Sequence, residues 1–226
     1  MENENYEMKG GKKTDYEFVT QIAIVGILAL LIAFNAGRIY YGGSGSPITG
    51  LATGIGTASA STIIPTGTPA VYGNEIGVKY DDVSPNNPQL ADATIAKLTQ
   101  YEDKKLTDEQ MKRYINIGGA ISCEYCCGAK SIIFSNGERA CGCAHSYAMR
   151  GLAKYLLINH PDMTDDDILR ELGKWKVLFF PGIHEQKAQV LESKGIDSSD
   201  YINLASNKYR GIEKGQASGG GMVGGC

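Results

Sequence analysis

The 226-residue chain lacks most of the short signatures by which enzymes announce their chemistry. There is no G-x-S-x-G nucleophile elbow, no P-loop, no H-E-x-x-H and no dinucleotide fingerprint, so neither hydrolase nor nucleotide chemistry is indicated. An excess of basic charge is also missing. The formal net charge is −3 and the pI about 5.7, which provides no electrostatic footprint for nucleic acid. The cysteines form no C-x-x-C-H, so covalent c-type haem is not supported, and they lack ferredoxin spacing, which leaves an iron-sulfur cluster as a lesser alternative that the spacing does not indicate. No βαβ pattern of the thioredoxin kind surrounds them.

What is present is concentrated in one stretch, CEYCCGAKSIIFSNGERACGCAHSYAM, from Cys123 to Met149. It holds five of the six cysteines and one of three histidines. Cys123-x-x-Cys126 has the spacing at which a tight turn aims two thiolates at one ion, and Cys127 is a further sulfur. Lys130 to Phe134, the Asn136-Gly137 pair and Glu138 to Cys141 together predict a β-hairpin that folds the second cysteine pair back onto the first. Cys141 and Cys143 flank Gly142, and in extended backbone their side chains share a side. Cys143 and His145 stand where a helix over Ala144–Asn159 begins. There the helix dipole favours a thiolate. Met149, four residues past His145, shares its face of that helix.

The candidate metal ligands are therefore Cys123, Cys126, Cys127, Cys141, Cys143 and His145. Four thiolates, or three with an imidazole, suit zinc; thiolates joined by the Met149 thioether suit copper(I). The layout resembles the two-knuckle arrangement of zinc ribbons in its spacing, with C-x-C in place of the second C-x-x-C. Over Cys141 to His145 it also resembles the Cys-Gly-Cys motifs of bacterial metal-binding lipoproteins, a stretch too short to define a family. Disulfides that staple the hairpin are the competing expectation. A thiol-disulfide pair, with Cys143 attacking and Cys141 resolving, is a third.

Around this centre the chain divides by composition. Residues 1–17 are polar and carry Lys9, Lys12 and Lys13. Residues 18–41 begin with an uncharged apolar run from Phe18 to Phe34 and end at Tyr40-Tyr41, which predicts a single transmembrane anchor with a cytoplasmic N-terminus. Ala33 to Ala36 supplies no clean cleavage site, so the anchor is expected to be retained. Residues 42–86, rich in Gly, Ser and Thr, read as a flexible linker. A helical Cys/His-rich domain is expected over 87–210 outside the cytoplasm, followed by a flexible Gly-rich tail, 211–226, ending in Cys226.

Within the domain, helices are expected over Pro88–Glu102, from a capping box at Thr107 and Gln110 to Gly118-Gly119, over Ala144–Asn159, from Thr164 onward, and over Ile183–Lys194. The aspartates Asp165 to Asp167 read as capping residues, because they lack the alternation and glycine of a calcium loop. The expected fold is mainly α with one small β-hairpin. The expected function is binding of zinc or copper(I) by a membrane-anchored domain; the alternatives are a redox protein, or a non-catalytic module that binds a protein partner.

Overall fold

The computed structural model describes residues 24–27, 63–215 and 221–224. The expected anchor and the first part of the linker lie mostly outside the described residues. No helix among the described residues is long and apolar enough to cross a membrane.

The domain is mainly helical. In chain order its α-helices are α1 (Gly73–Ile76), α2 (Pro88–Thr99), α3 (Asp108–Gly119), α4 (Ala144–Asn159), α5 (Asp165–Phe179), α6 (Pro181–Ser193) and α7 (Tyr201–Ala205). Helix α4 is central. It packs against α2, α3 and α5, and α5 packs in turn against α7. Leu152, Leu156 and Leu157 of α4 meet Trp175 and Phe179 of α5 in the main core, all fully buried. A smaller cluster joins Ile63, Val177, Ala188, Leu191, Leu204 and Ala205.

Local chemistry explains the helix starts. Thr107 and Thr164 both close capping boxes, with Gln110 and Asp167 as the reciprocal partners. Cys143 caps α4: its sulfur accepts the Ser146 N–H at 3.4 Å. Phe180, in non-helical backbone, ends α5 and precedes Pro181, whose missing N–H is harmless in the first turn of α6.

Several expectations are corrected. The hairpin between Lys130 and Cys141 is reduced to one antiparallel bridge, Ile133 to Arg139, turned at Gly137 in left-handed backbone; among the described residues there is no sheet. Its inner residues Ile132 and Ile133 pack into the helical core, so side-chain burial and not a ladder holds the loop. Of the apolar residues of α2, Leu90 is exposed, whereas Ile95 and Leu98 are buried together with Ala91 and Thr94. Helix α3 ends at the Gly118-Gly119 pair, as expected. The helix runs through Gly119, and a Cβ at Gly118 would come within 2.7 Å of the Ile133 side chain, so glycine there permits close packing.

The expected linker over 42–86 is packed from Ile63 onward. Tyr72, Val78, Tyr80 and Val83 enter the main core. The Trp175 indole N–H donates to the Tyr72 hydroxyl at 2.7 Å, and both tyrosine hydroxyls donate to the Glu171 carboxylate. The expected flexible tail is likewise docked where it is described: the Val223 N–H donates to the Phe179 carbonyl at 2.9 Å, and Glu213 is buried. Aromatic hydroxyls and backbone groups seat these segments against α5, which their composition does not reveal.

Candidate metal and thiol centre

The first cysteine cluster follows α3 in a tight turn in which the N–H groups of Cys126 and Cys127 both donate to the Cys123 carbonyl, at 3.3 and 3.2 Å. Gly128, in left-handed backbone, then lets the chain leave. The second cluster arrives on the return arm of the bridged loop, with Cys143 at the N-terminus of α4. The ligand atoms fall into two overlapping sets, each with all members within 4.8 Å of one another: Cys123, Cys127, Cys141 and Cys143; and Cys123, Cys126, Cys143 and His145. Either group could hold a metal ion, and the donors alone do not fix which metal. Cys123 and Cys143 belong to both.

The sulfurs differ in state. Cys127 and Cys141 are paired at disulfide distance, whereas Cys123 and Cys143 are free and buried. Cys143 Sγ lies 3.1 Å from Cys123 Sγ and 3.5 Å from Cys141 Sγ. The hydrogen bond with Cys123 is the main cause that holds the Cys143 thiol far below its ordinary range. Burial opposes this, and His145 and the Ser146 hydroxyl and N–H assist it. The same contact, with burial second, drives the Cys123 thiol upward. The shared proton therefore rests on Cys123 and the charge on Cys143, at the positive end of the helix dipole.

His145 is buried between Phe179 and Phe180, with ring centroids 4.6 and 5.1 Å away. Its Nε2 lies 2.8 Å from the Val223 carbonyl oxygen. A carbonyl only accepts, so Nε2 carries a proton. Met149 is packed in the main core. Cys226 lies outside the described residues. His184, in the first turn of α6, is fully buried, with Nδ1 2.8 Å from the Phe180 carbonyl; His160 pairs with Glu75 at 2.9 Å.

Two buried charged groups support the centre and escape a motif search. Arg150 is fully buried: Nη1 donates to the carbonyls of Ile132 and Cys141 at 3.0 and 2.9 Å, and Nε donates to Glu102 at 2.7 Å. It thereby ties both arms of the loop to α4. Lys176, also fully buried, donates to Glu124 at 3.1 Å and to the Ala205 carbonyl at 2.8 Å. Burial lowers its pKa to about 8 while Glu124 opposes the shift, and its positive charge acts on Cys123. The signal for both was a charged residue inside an apolar stretch: Arg150 stands between Met149 and Gly151, Lys176 between Trp175 and Val177.

Compared with known proteins, the chain matches no family model, no curated protein and no solved structure. The functional reading therefore rests on the centre itself.

Proposed function

We propose that the chain is a metal-binding protein whose centre is a tetrathiolate of Cys123, Cys127, Cys141 and Cys143, with zinc as the ion it fits best and copper(I) as the alternative. The observation that carries this reading is the convergence of four sulfurs within 4.8 Å of one another, three of them buried. Four thiolates around a divalent ion leave excess negative charge, which the N-terminus of α4 and the buried Lys176 ammonium offset. A closed set of four protein ligands suits a structural or storage site, because no position is left for a reacting molecule. We place the domain outside the cytoplasm, held by the apolar segment 18–41.

The test is metal content of the full-length chain, purified under reducing conditions and loaded separately with zinc and copper(I). About one zinc ion per chain is expected. Cys143→Ser and Cys141→Ser should each lose most of it, and Met149→Leu should lose none. Equal metal in all these proteins overturns the assignment. A second reading, a disulfide-stapled module that presents a protein-binding surface, draws on the Cys127–Cys141 pairing; it requires that the reduced chain bind no metal.

A further inference from the structure

The four sulfurs are unequal towards solvent. Cys127 is exposed, and Cys123, Cys141 and Cys143 are buried. The exposed sulfur is bonded to the buried Cys141, while the other two buried sulfurs, of Cys123 and Cys143, are free thiols. All four nonetheless belong to one ligand set. A sulfur in a disulfide is no longer a thiolate donor, so the Cys127–Cys141 bond and a four-thiolate metal site exclude each other.

Space is left beside the backbone that flanks these sulfurs. A Cβ placed on Gly128, next to Cys127, or on Gly142, between Cys141 and Cys143, would meet nothing within 4 Å. Beside Gly142 opens a groove of about 680 Å³ lined also by Ile95, Thr99, Ala144 and Tyr147.

We propose that the centre is a thiol-disulfide exchange site coupled to metal release; this rests on the metal reading above and adds its chemistry. The partner is a small disulfide, R–S–S–R. The exposed Cys127 thiolate attacks one of its sulfurs; the S–S bond breaks, a mixed disulfide forms on Cys127, and one RS⁻ leaves. The Cys141 thiolate then attacks the Cys127 sulfur, forms the Cys127–Cys141 bond and expels the second RS⁻. The two leaving thiolates take up protons from water. Two electrons pass from the protein to the external disulfide, and the divalent ion, left with Cys123 and Cys143, dissociates. Exposure makes Cys127 the first sulfur attacked or attacking, and burial makes Cys141 the resolving one.

The full-length chain, reduced and loaded with zinc, is freed of reductant and mixed with 2-hydroxyethyl disulfide. Zinc release is followed with a chromogenic chelator, and the linkages formed are mapped by mass spectrometry. One zinc is expected to leave for each Cys127–Cys141 bond formed. In the reduced, zinc-free protein, Cys141→Ser should accumulate the mixed disulfide on Cys127, whereas Cys127→Ser should consume the reagent about ten-fold more slowly. The bond forming while zinc stays bound overturns the coupling. Adducts spread over other cysteines, with none preferred at Cys127, overturn the assigned order. A reduced chain that takes up no zinc at the outset overturns the metal reading and the coupling with it, while the adduct on Cys127 still decides the exchange step alone.

Discussion

Arg150 and Glu102 show how single residues set the centre. Arg150 is fully buried, and its guanidinium holds the carbonyl of Cys141; its charge is met by Glu102, itself almost fully buried. Replacing Glu102 by Gln leaves an uncompensated buried cation, and a loss of about 3–5 kcal/mol in unfolding free energy is expected. Burial alone would raise the Glu102 carboxyl, but hydrogen bonds and charge from Arg139 and Arg150 outweigh it and hold the pKa below its ordinary 4.5. The sign follows from linkage. Since the folded form binds the proton less readily than the unfolded chain, this stabilisation is complete above the ordinary carboxylate range and fades as pH falls through the lowered folded pKa. Denaturant midpoints of the parent and Glu102→Gln should therefore differ at neutral pH and converge in acid. A gap that stays constant down to the lowest pH would refute the pairing as its cause.

The elements are held by close approaches as much as by apolar stripes. A Cβ on Gly151 of α4 would come to 2.1 Å from the Leu98 carbonyl oxygen of α2, a backbone atom that cannot turn aside. At Gly118 the obstacle is the end of the Ile133 side chain, which can. Gly151→Ala should thus destabilise by about 1–3 kcal/mol or more, and Gly118→Ala by less, in paired thermal or denaturant unfolding curves. The reverse order would mean that α2 and α4 yield more easily than the loop. Thr164→Ala, which removes the cap of α5, should cost about 1 kcal/mol and leave metal content unchanged. These elements also show what sequence can tell. The bounds of α4 were readable because a capping position, a broad apolar face and a following Pro161 are all local signals. The α5 stripe of Ile168, Leu172 and Trp175 was readable for the same reason, and all three are fully buried. The docking of residues 63–83 was not, since it depends on Tyr72 and Tyr80 meeting Glu171 some ninety residues away. Nor was the split among the cysteines: spacing brings sulfurs to one place, while burial and the reach of Arg150 decide which of them face solvent.

At the scale of the whole molecule, the chain combines a thiol-rich centre with an apolar segment whose flanking lysines favour a cytoplasmic N-terminus. The two features constrain each other. A Cys127–Cys141 bond persists in an oxidising compartment and is reduced in a cytosol rich in small thiols, so under the proposed anchoring the side of the membrane on which the domain lies would decide which of the two exclusive states dominates. On the proposed topology, the domain beyond the segment 18–41 is outside. A membrane-impermeant maleimide added to intact cells should then label Cys127 only after treatment with an impermeant reductant, because the bond must open before its exposed sulfur is free. The same reagents should leave a cysteine introduced at Ser44→Cys labelled without reduction, since that position follows the anchor and has no partner sulfur assigned to it. If Ser44→Cys is labelled only after the cells are lysed, the domain faces inward and the reduced, metal-loaded state is the one to expect in the cell. If Ser44→Cys is labelled at once and Cys127 is too, the domain is outside with the Cys127–Cys141 bond open, and the disulfide is not the state that dominates there.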